Sequence, residues 1–498
     1  MSNLLTAIIF LPLLGACAIA LLPATRPDLA KWTAALFATV DLGLVLWLIS
    51  GFDRTAQGVK NMQFVVDVPW VPQVGINYHL GIDGISIVMV FLSALLGLIA
   101  ILASWHITNK PRAYFAMLLL LQIGMNGVFV ALDFVLFYVF WEMVLVPMFF
   151  LIGVWGGPRR DYASVKFFLY TLAGSVFMLV GILALYLHPN SGTFDMVVLA
   201  QKAGTGAFSH EFQMWVFALF FLGFAVKVPV FPLHTWLPDA HVEAPVAASV
   251  LLAGILLKMG TYGFIRVSLP MLPDAAATWA PWIAVLAAVS IVYGAAVAFA
   301  QTDIKKLVAY SSVSHMGFVM LGIASMTSAG LQGAVAIMFS HGVLTGMLFL
   351  LVGMVYDRTH TREIKLLAGM SSKVPVLGGI LAFASIGSLG LPGLSGFVGE
   401  FLSLLGAWQS PLIPHWITIF SAIGVLLAAA YMLYMMLRVV LGEASEKIAA
   451  ITDATPLEIA TLLPLMVLTV VVGVWWASLL GYAEPAVSSI VAVLAKAG

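Results

Sequence analysis

The chain has 498 residues, 62% of them hydrophobic and only 9% charged, with no formal net charge and a mean hydropathy of +1.08. A soluble domain carries about 25% charged residues, so the composition is that of a polytopic membrane protein. The absence of a basic tract excludes nucleic acid as a partner. The single cysteine, Cys17, excludes an intrachain disulfide and a cysteine-ligated cluster.

Apolar runs of about 20 residues, long enough to span lipid, recur along the whole sequence. They are Leu4 to Leu22, Trp32 to Ser50, Leu80 to Trp105, Tyr114 to Leu132, Phe134 to Trp155, Val165 to Leu187 and Phe212 to Asp239. They continue with Ala244 to Ser268, Trp279 to Ala300, Ile304 to Ser325, Leu331 to Tyr356, Val374 to Trp408, Trp416 to Val440 and Leu457 to Leu480. The expected fold is therefore all-α, with about fourteen transmembrane helices. The first run lacks the positive flank of a signal peptide and reads as a retained helix. The connections Gly51 to His79 and His188 to Glu211 read as loops, too short for a soluble domain.

Basic residues orient the bundle. Loops after odd-numbered spans hold about fifteen Lys and Arg against about four after even-numbered spans. Arg159-Arg160, Lys305-Lys306 and the group Arg358, Arg362, Lys365 and Lys373 lead the excess. The odd loops are expected in the cytoplasm or matrix and both termini on the other side. With no targeting segment before the first span, the expected site is a bacterial inner membrane, with periplasmic termini.

Two spans carry breakers beside a charge. In the seventh, Lys227 lies within an apolar run and is followed by Pro229 and Pro232. Each proline removes a backbone donor and clashes with the preceding turn. A lone ammonium at that depth costs a few kcal/mol, so it reads as a site; the alternative reading is a proline kink with a snorkelling lysine, which lies far from either end of its run. In the twelfth, Gly390, Pro392, Gly393, Gly396 and Gly399 precede Glu400. Glycines at this density read as a helix break rather than a nucleotide cradle, and no phosphate loop or dinucleotide fingerprint is present. The breaks lie five spans apart and so cross in opposite directions, as in inverted repeats of helices 4–8 and 9–13 with discontinuous helices 7 and 12. The expected units are 1–111 (the first three spans), 112–270 and 271–440 (the repeats), and 441–498 (the last span and a short tail).

The intramembrane ionisable residues form a candidate relay: Glu142, Lys227, Lys258, His315, His341 and Glu400. Groups in such a row are what proton pathways use. Glu142 and Lys227, at similar depth on neighbouring spans, are expected to pair, which would hold the lysine protonated. The pair also reads as structural, and the two histidines read equally well as satisfied core residues. His234 and His241 read as helix-end hydrogen bonders, since no further ligands stand at metal spacing. Asp83 and Asp133 read as snorkelling helix-end acids, Lys305 and Lys306 as orientation charges. Asp41 lies deeper and has no evident partner.

Several motifs resemble the antiporter-like subunits of respiratory complex I. They are Trp141-Glu142-Met143-Val144-Leu145-Val146-Pro147, Pro232-Leu233-His234-Thr235-Trp236-Leu237-Pro238-Asp239-Ala240-His241 with Glu243-Ala244-Pro245, and Leu391-Pro392-Gly393-Leu394-Ser395-Gly396-Phe397. Gly81-Ile82-Asp83-Gly84-Ile85-Ser86 and Gln301-Thr302-Asp303-Ile304-Lys305-Lys306-Leu307 extend the likeness over nearly the whole chain. The pattern is most like the M-type branch, because L-type and N-type chains usually carry lysine where Glu400 stands and the L-type chain is longer. The resemblance implies proton translocation driven by electron transfer from NADH to quinone. It implies Glu142, Lys227, Lys258 and Glu400 as the key positions with His315 and His341 as intermediate carriers, and FMN and iron–sulfur clusters on other subunits with no cofactor in this chain. It also implies L-type and N-type chains as neighbours. A subunit of a multi-subunit sodium/proton antiporter is the alternative reading. A passive membrane scaffold is a third, weakened by the cost of buried charges that a scaffold does not need.

Overall fold

The computed structural model describes residues 3–23, 26–55 and 62–495. Among them, thirteen helices are long and apolar enough to cross a membrane. Spans 7 and 12, split into shorter helices, are additional crossings. One of the thirteen, Ala477–Leu494, does not follow the pattern of a crossing. Its Tyr482 carbonyl packs on Gly84 at the start of span 3, and it also touches Leu269–Met271 at the end of span 8. Both lie on the face from which the N-terminus enters, so this helix runs across that face, with the Arg54 guanidinium 3.8 Å above the Tyr482 ring. The expected fourteen crossings stand. The expected short tail is corrected: span 14 ends at Val474, and a further helix occupies most of the chain beyond it.

Burial sorts the spans. Val246–Met271 and Ser328–Thr359, spans 8 and 11, are 100% buried across their apolar windows, and Ile304–Ser325, span 10, is 94% buried. Span 13, His415–Val439, and span 14, Pro456–Val474, are 39% and 33% buried. The lipid-facing layer is thus apolar, and the polar residues of spans 8, 10 and 11 lie at the centre, where protein rather than lipid surrounds them.

Interruptions lie where backbone donors are missing. Span 5 is two helices, Phe134–Met143 and Leu145–Trp155, meeting at Val144. Pro147 cannot donate to the Met143 carbonyl four residues earlier, which opens the ladder beside Glu142. Span 7 stops at Lys227, the last residue of His210–Lys227, and resumes as Trp236–Glu243. The turn between them is tied down by Trp236 Nε1 donating to the Val226 carbonyl at 2.9 Å and by Phe231 N donating to Ser290 Oγ at 3.0 Å. Span 12 divides into Pro375–Ser388 and Ser395–Gln409. Span 8 contains wide π turns at Leu252–Leu256 and Phe264–Ser268, which no feature of the sequence announced.

The loop after span 2 is ordered as an antiparallel hairpin, Gln63–Val71 with Ile76–Ile82. It continues into the bundle through Leu132 N donating to the His79 carbonyl at 2.9 Å. The other long loop contains the helix Met196–Ala203.

Two helix-end acids are not snorkelling. Asp133 is buried and caps span 5, accepting from Val135 N at 2.8 Å and Leu136 N at 3.2 Å. Asp83 caps span 3 and forms a 2.5 Å ion pair with Arg266 of span 8.

Candidate functional site

Four of the six candidate residues form one buried series through spans 8, 11, 10 and 12. Lys258 is 0% exposed. Its Nζ donates to the Ala253 carbonyl five residues earlier and lies 2.6 Å from His341 Nδ1. The π turn at Leu252–Leu256 shifts the local ladder beside that carbonyl, and such turns recur at functional sites. The His341 and His315 rings meet edge to face with centroids 5.6 Å apart. His315 Nδ1 then lies 3.1 Å from Glu400 Oε1, and its Nε2 lies 3.3 Å from Ser388 Oγ. His341 Nε2 is buried and has no partner among the described residues.

The break in span 12 sets the position of Glu400. Gly399 brings the second half-helix against span 11, since a Cβ there would come within 2.7 Å of Ile337 N. Small residues at such contacts are how membrane helices approach closely. Gly390, at φ +83°, turns the chain where a Cβ would lie 2.7 Å from Glu400 Oε2. A cavity lined by His315, His341, Ser388 and Glu400 has about 10 Å³ of room for water centres, near the size needed for a single molecule.

The remaining two residues are near each other but not joined. Glu142 is the charge that faces Lys227, yet no ion pair forms within 4.0 Å, and Lys227 Nζ and Glu142 Oε1 are both without hydrogen-bond partners among the described residues. The expected direct pair is therefore corrected to a separated one. Two other features favour the Lys227 cation. It sits at the carboxyl end of its half-helix, where the dipole is negative, and its Nζ lies 5.4 Å from the Trp141 ring centroid. No contact within hydrogen-bond reach links Lys227 to Lys258.

The structure adds residues that the sequence reading treated as bystanders. His241 is 0% exposed, stacks on Phe349 at 4.6 Å, and has both ring nitrogens unpartnered among the described residues. The charges facing it are Lys305 and Lys258. Lys305 is buried rather than a surface orientation charge, and its Nζ donates to the Ala244 carbonyl at 2.6 Å. Beside Glu243, Lys305 and Arg362, on the face opposite the hairpin, is a cavity of about 250 Å³. His241 belongs to the helix Trp236–Glu243, whose last residue lines that cavity. The only signal in the sequence was its place at the end of a broken helix. Nearby, Asp239 accepts from Arg159 at 2.8 Å and from Lys166 at 2.7 Å, holding the second half of span 7 to span 6.

This geometry lies within the part of the chain matched by a family model. Residues 131–428, which hold both broken spans and all six candidates, match NADH:quinone oxidoreductase/Mrp antiporter, TM. Residues 58–126 match NADH-ubiquinone oxidoreductase chain 4, amino terminus. The NADH-quinone oxidoreductase subunit M of Rhodobacter capsulatus is 46% identical, over 99% of this chain and 97% of its own length. The chain belongs to the subunit M family. The subunit M of Rickettsia conorii is 41% identical over 95% of both chains. Among solved structures, a chain of respiratory complex I from Thermus thermophilus aligns with a TM-score of 0.88 and 32% identity, covering 99% of this chain and all of that one. A chain of the Mrp complex from Dietzia shares the fold, with a TM-score of 0.84 at 20% identity.

Proposed function

We propose that the chain is a proton-translocating subunit of the membrane arm of NADH:quinone oxidoreductase, moving protons along its buried Lys, His and Glu side chains. The observation that carries this reading is the series Lys258–His341–His315–Glu400, within hydrogen-bond distance at each end and in ring contact between the two histidines, in and beside the most buried spans. Each member can hold and release a proton. Lys258 donates towards His341 Nδ1. A proton arriving at that nitrogen allows one to leave from Nε2 towards His315, with the small cavity able to hold a bridging water. His315 Nδ1 donates to the Glu400 carboxylate. Protons enter from the cavity beside Lys305 by way of His241. Glu142 and the separated Lys227 act as the switch: a carboxylate brought closer holds the lysine charged, and one moved away releases its proton. The sodium/proton antiporter reading has the shared fold and the joint family model, but at 20% identity against 46% for subunit M, and is the weaker.

The same reading has L-type and N-type chains as neighbours, a bacterial inner membrane, and termini on the periplasmic side. It has spans 4–8 and 9–13 as inverted repeats over 112–270 and 271–440, flanked by 1–111 and 441–498. The basic excess at one face and the equivalent breaks in spans 7 and 12 support these assignments.

The test is made in the assembled complex in vesicles. His341→Ala and Glu400→Gln should each lower proton translocation and the quinone reduction coupled to it by about tenfold or more, the scale of losing a positioned proton carrier. Wild-type rates of proton translocation and quinone reduction in both, with the variant chain present in the complex, would overturn the reading.

A further inference from the structure

One carboxyl in the bundle core lies outside the relay. Asp41 of span 2 is 0% exposed, and its Oδ2 accepts from Gln122 Nε2 at 2.8 Å and from Asn126 Nδ2 at 3.2 Å. Asn126 in turn accepts from Ser93 Oγ at 2.6 Å and donates to the Ile8 carbonyl at 3.3 Å. The network joins spans 1, 2, 3 and 4. Two atoms are left over: Asp41 Oδ1 and Gln122 Oε1 are both buried and both without a partner among the described residues. Both are acceptors when the acid is ionised. Turning the glutamine over does not help, because it sets Oε1 against Asp41 Oδ2. The amide lies flat against Gly97, where a Cβ would come within 2.6 Å of Oε1.

No cation at this depth compensates a carboxylate. Leu4–Leu21 and Gly84–Ala103 contain no charged residue. Pro111–Val130 has only Arg112, and the other charges of Pro27–Ser50 are Asp28 and Lys31, all within the first five residues of their helices. At 1.5 Å per residue, Lys31 and Arg112 are each roughly 15 Å along the axis from the level of Asp41 and Gln122. A buried charge without a partner neutralises instead.

We propose that Asp41 carries a proton on Oδ1 at neutral pH and donates it to Gln122 Oε1, so that this acid–amide pair is a proton-binding site separate from the relay. One proton satisfies both leftover atoms and makes every polar group in the cluster either a donor to or an acceptor from another. A metal cation does not do the same. Hard cations such as calcium and magnesium take about six or more oxygens, and only two are free here. The inference is independent of the relay reading, since it uses none of the relay residues.

The test compares infrared spectra of the full complex with wild-type chain and with Asp41→Asn at neutral pH. The difference should show loss of a protonated-carboxyl carbonyl band, shifted in heavy water, with no loss of carboxylate bands. Proton translocation should be unchanged, because an asparagine amide can donate to Gln122 Oε1 as the acid does. Loss of carboxylate bands overturns the proposal. So does a carboxyl signal that converts when sodium replaces potassium, which would make the site a cation site. Should Asp41→Asn not assemble, the wild-type complex decides. A hydrophobic carbodiimide takes the acid proton onto its nitrogen, bonds the carboxyl oxygen at its central carbon and rearranges to an N-acylurea. An adduct on Asp41 by mass spectrometry supports the site. An unlabelled Asp41, when other membrane carboxyls are labelled, overturns it.

Discussion

His241 is the residue whose environment departs furthest from its sequence reading. A helix-end histidine usually finds a carbonyl or water, but here both ring nitrogens are enclosed and unpaired, with Phe349 stacked on one side. An unpartnered buried polar group costs about 1–3 kcal/mol. That cost needs a compensating role, and passage of a proton between the Lys305 cavity and Lys258 supplies one. His241→Gln keeps a polar side chain of similar reach but removes the titratable ring. Proton translocation should fall by about tenfold, with subunit content in the purified complex unchanged. Wild-type translocation in that variant would remove His241 from the route and leave the Lys258–Glu400 series intact.

At the scale of elements, interruptions rather than helices shape the site. Span 12 places Glu400 beside His315 only because the chain turns at Gly390 and closes on span 11 at Gly399. Gly390→Ala sets a side chain at φ +83°, at a cost of about 1–3 kcal/mol, and directs its Cβ at Glu400 Oε2. The expected outcome is an assembled subunit with translocation impaired nearly as much as in Glu400→Gln, measured as proton uptake driven by NADH oxidation. An alanine variant with full pumping would mean that the carboxylate need not sit where the break holds it. The π turn before Lys258 acts in the same way, turning the Ala253 carbonyl to the lysine ammonium.

Across the whole molecule, the hairpin and the loop after span 6 are tied together on the face from which the N-terminus enters. His79 Nδ1 lies 3.0 Å from Asp195 Oδ2. Burial disfavours the imidazolium, but the carboxylates around it, Asp195 first and then Asp67 and Asp133, together outweigh it and raise His79 above the ordinary 6.5. Burial likewise works against ionised Asp195, and the nearby His79 together with the Val198 N–H that it accepts outweighs that, holding it below 3.8. A raised histidine contributes stability that is full below 6.5 and is lost as pH rises through its folded value. A lowered aspartate contributes above 3.8 and is lost as pH falls through its own. The tie is therefore strongest in mildly acidic conditions and weakens at alkaline pH. Hydrogen exchange of the Ile76–Ile82 strand should be slowest in the acidic window and quicken as pH rises, beyond the intrinsic base catalysis of exchange. In Asp195→Asn the excess pH dependence should vanish.

Composition and hydrophobic run length alone determined that the chain crosses a membrane about fourteen times. Prolines and glycines beside Lys227 and Glu400 marked both broken spans. These properties are local: a run of apolar side chains needs lipid whatever its neighbours, and proline lacks its donor in any context. Contacts between distant segments were decided only by packing. Sequence depth set Glu142 opposite Lys227, but the tertiary structure keeps them beyond ion-pair distance. It also joins Lys258 to His341, 83 positions apart, and His315 to Glu400, 85 apart. Asp41, which looked partnerless, gains Gln122 and Asn126, because close packing around Gly97, and not periodicity, decides which face of span 4 meets span 2. The last helix lies across one face although its apolar run is long enough to cross. Its neighbours are the ends of other spans, and its own sequence carries only a weak signal of that position: an apolar and a polar side, with Glu484 and Pro485 within the helix.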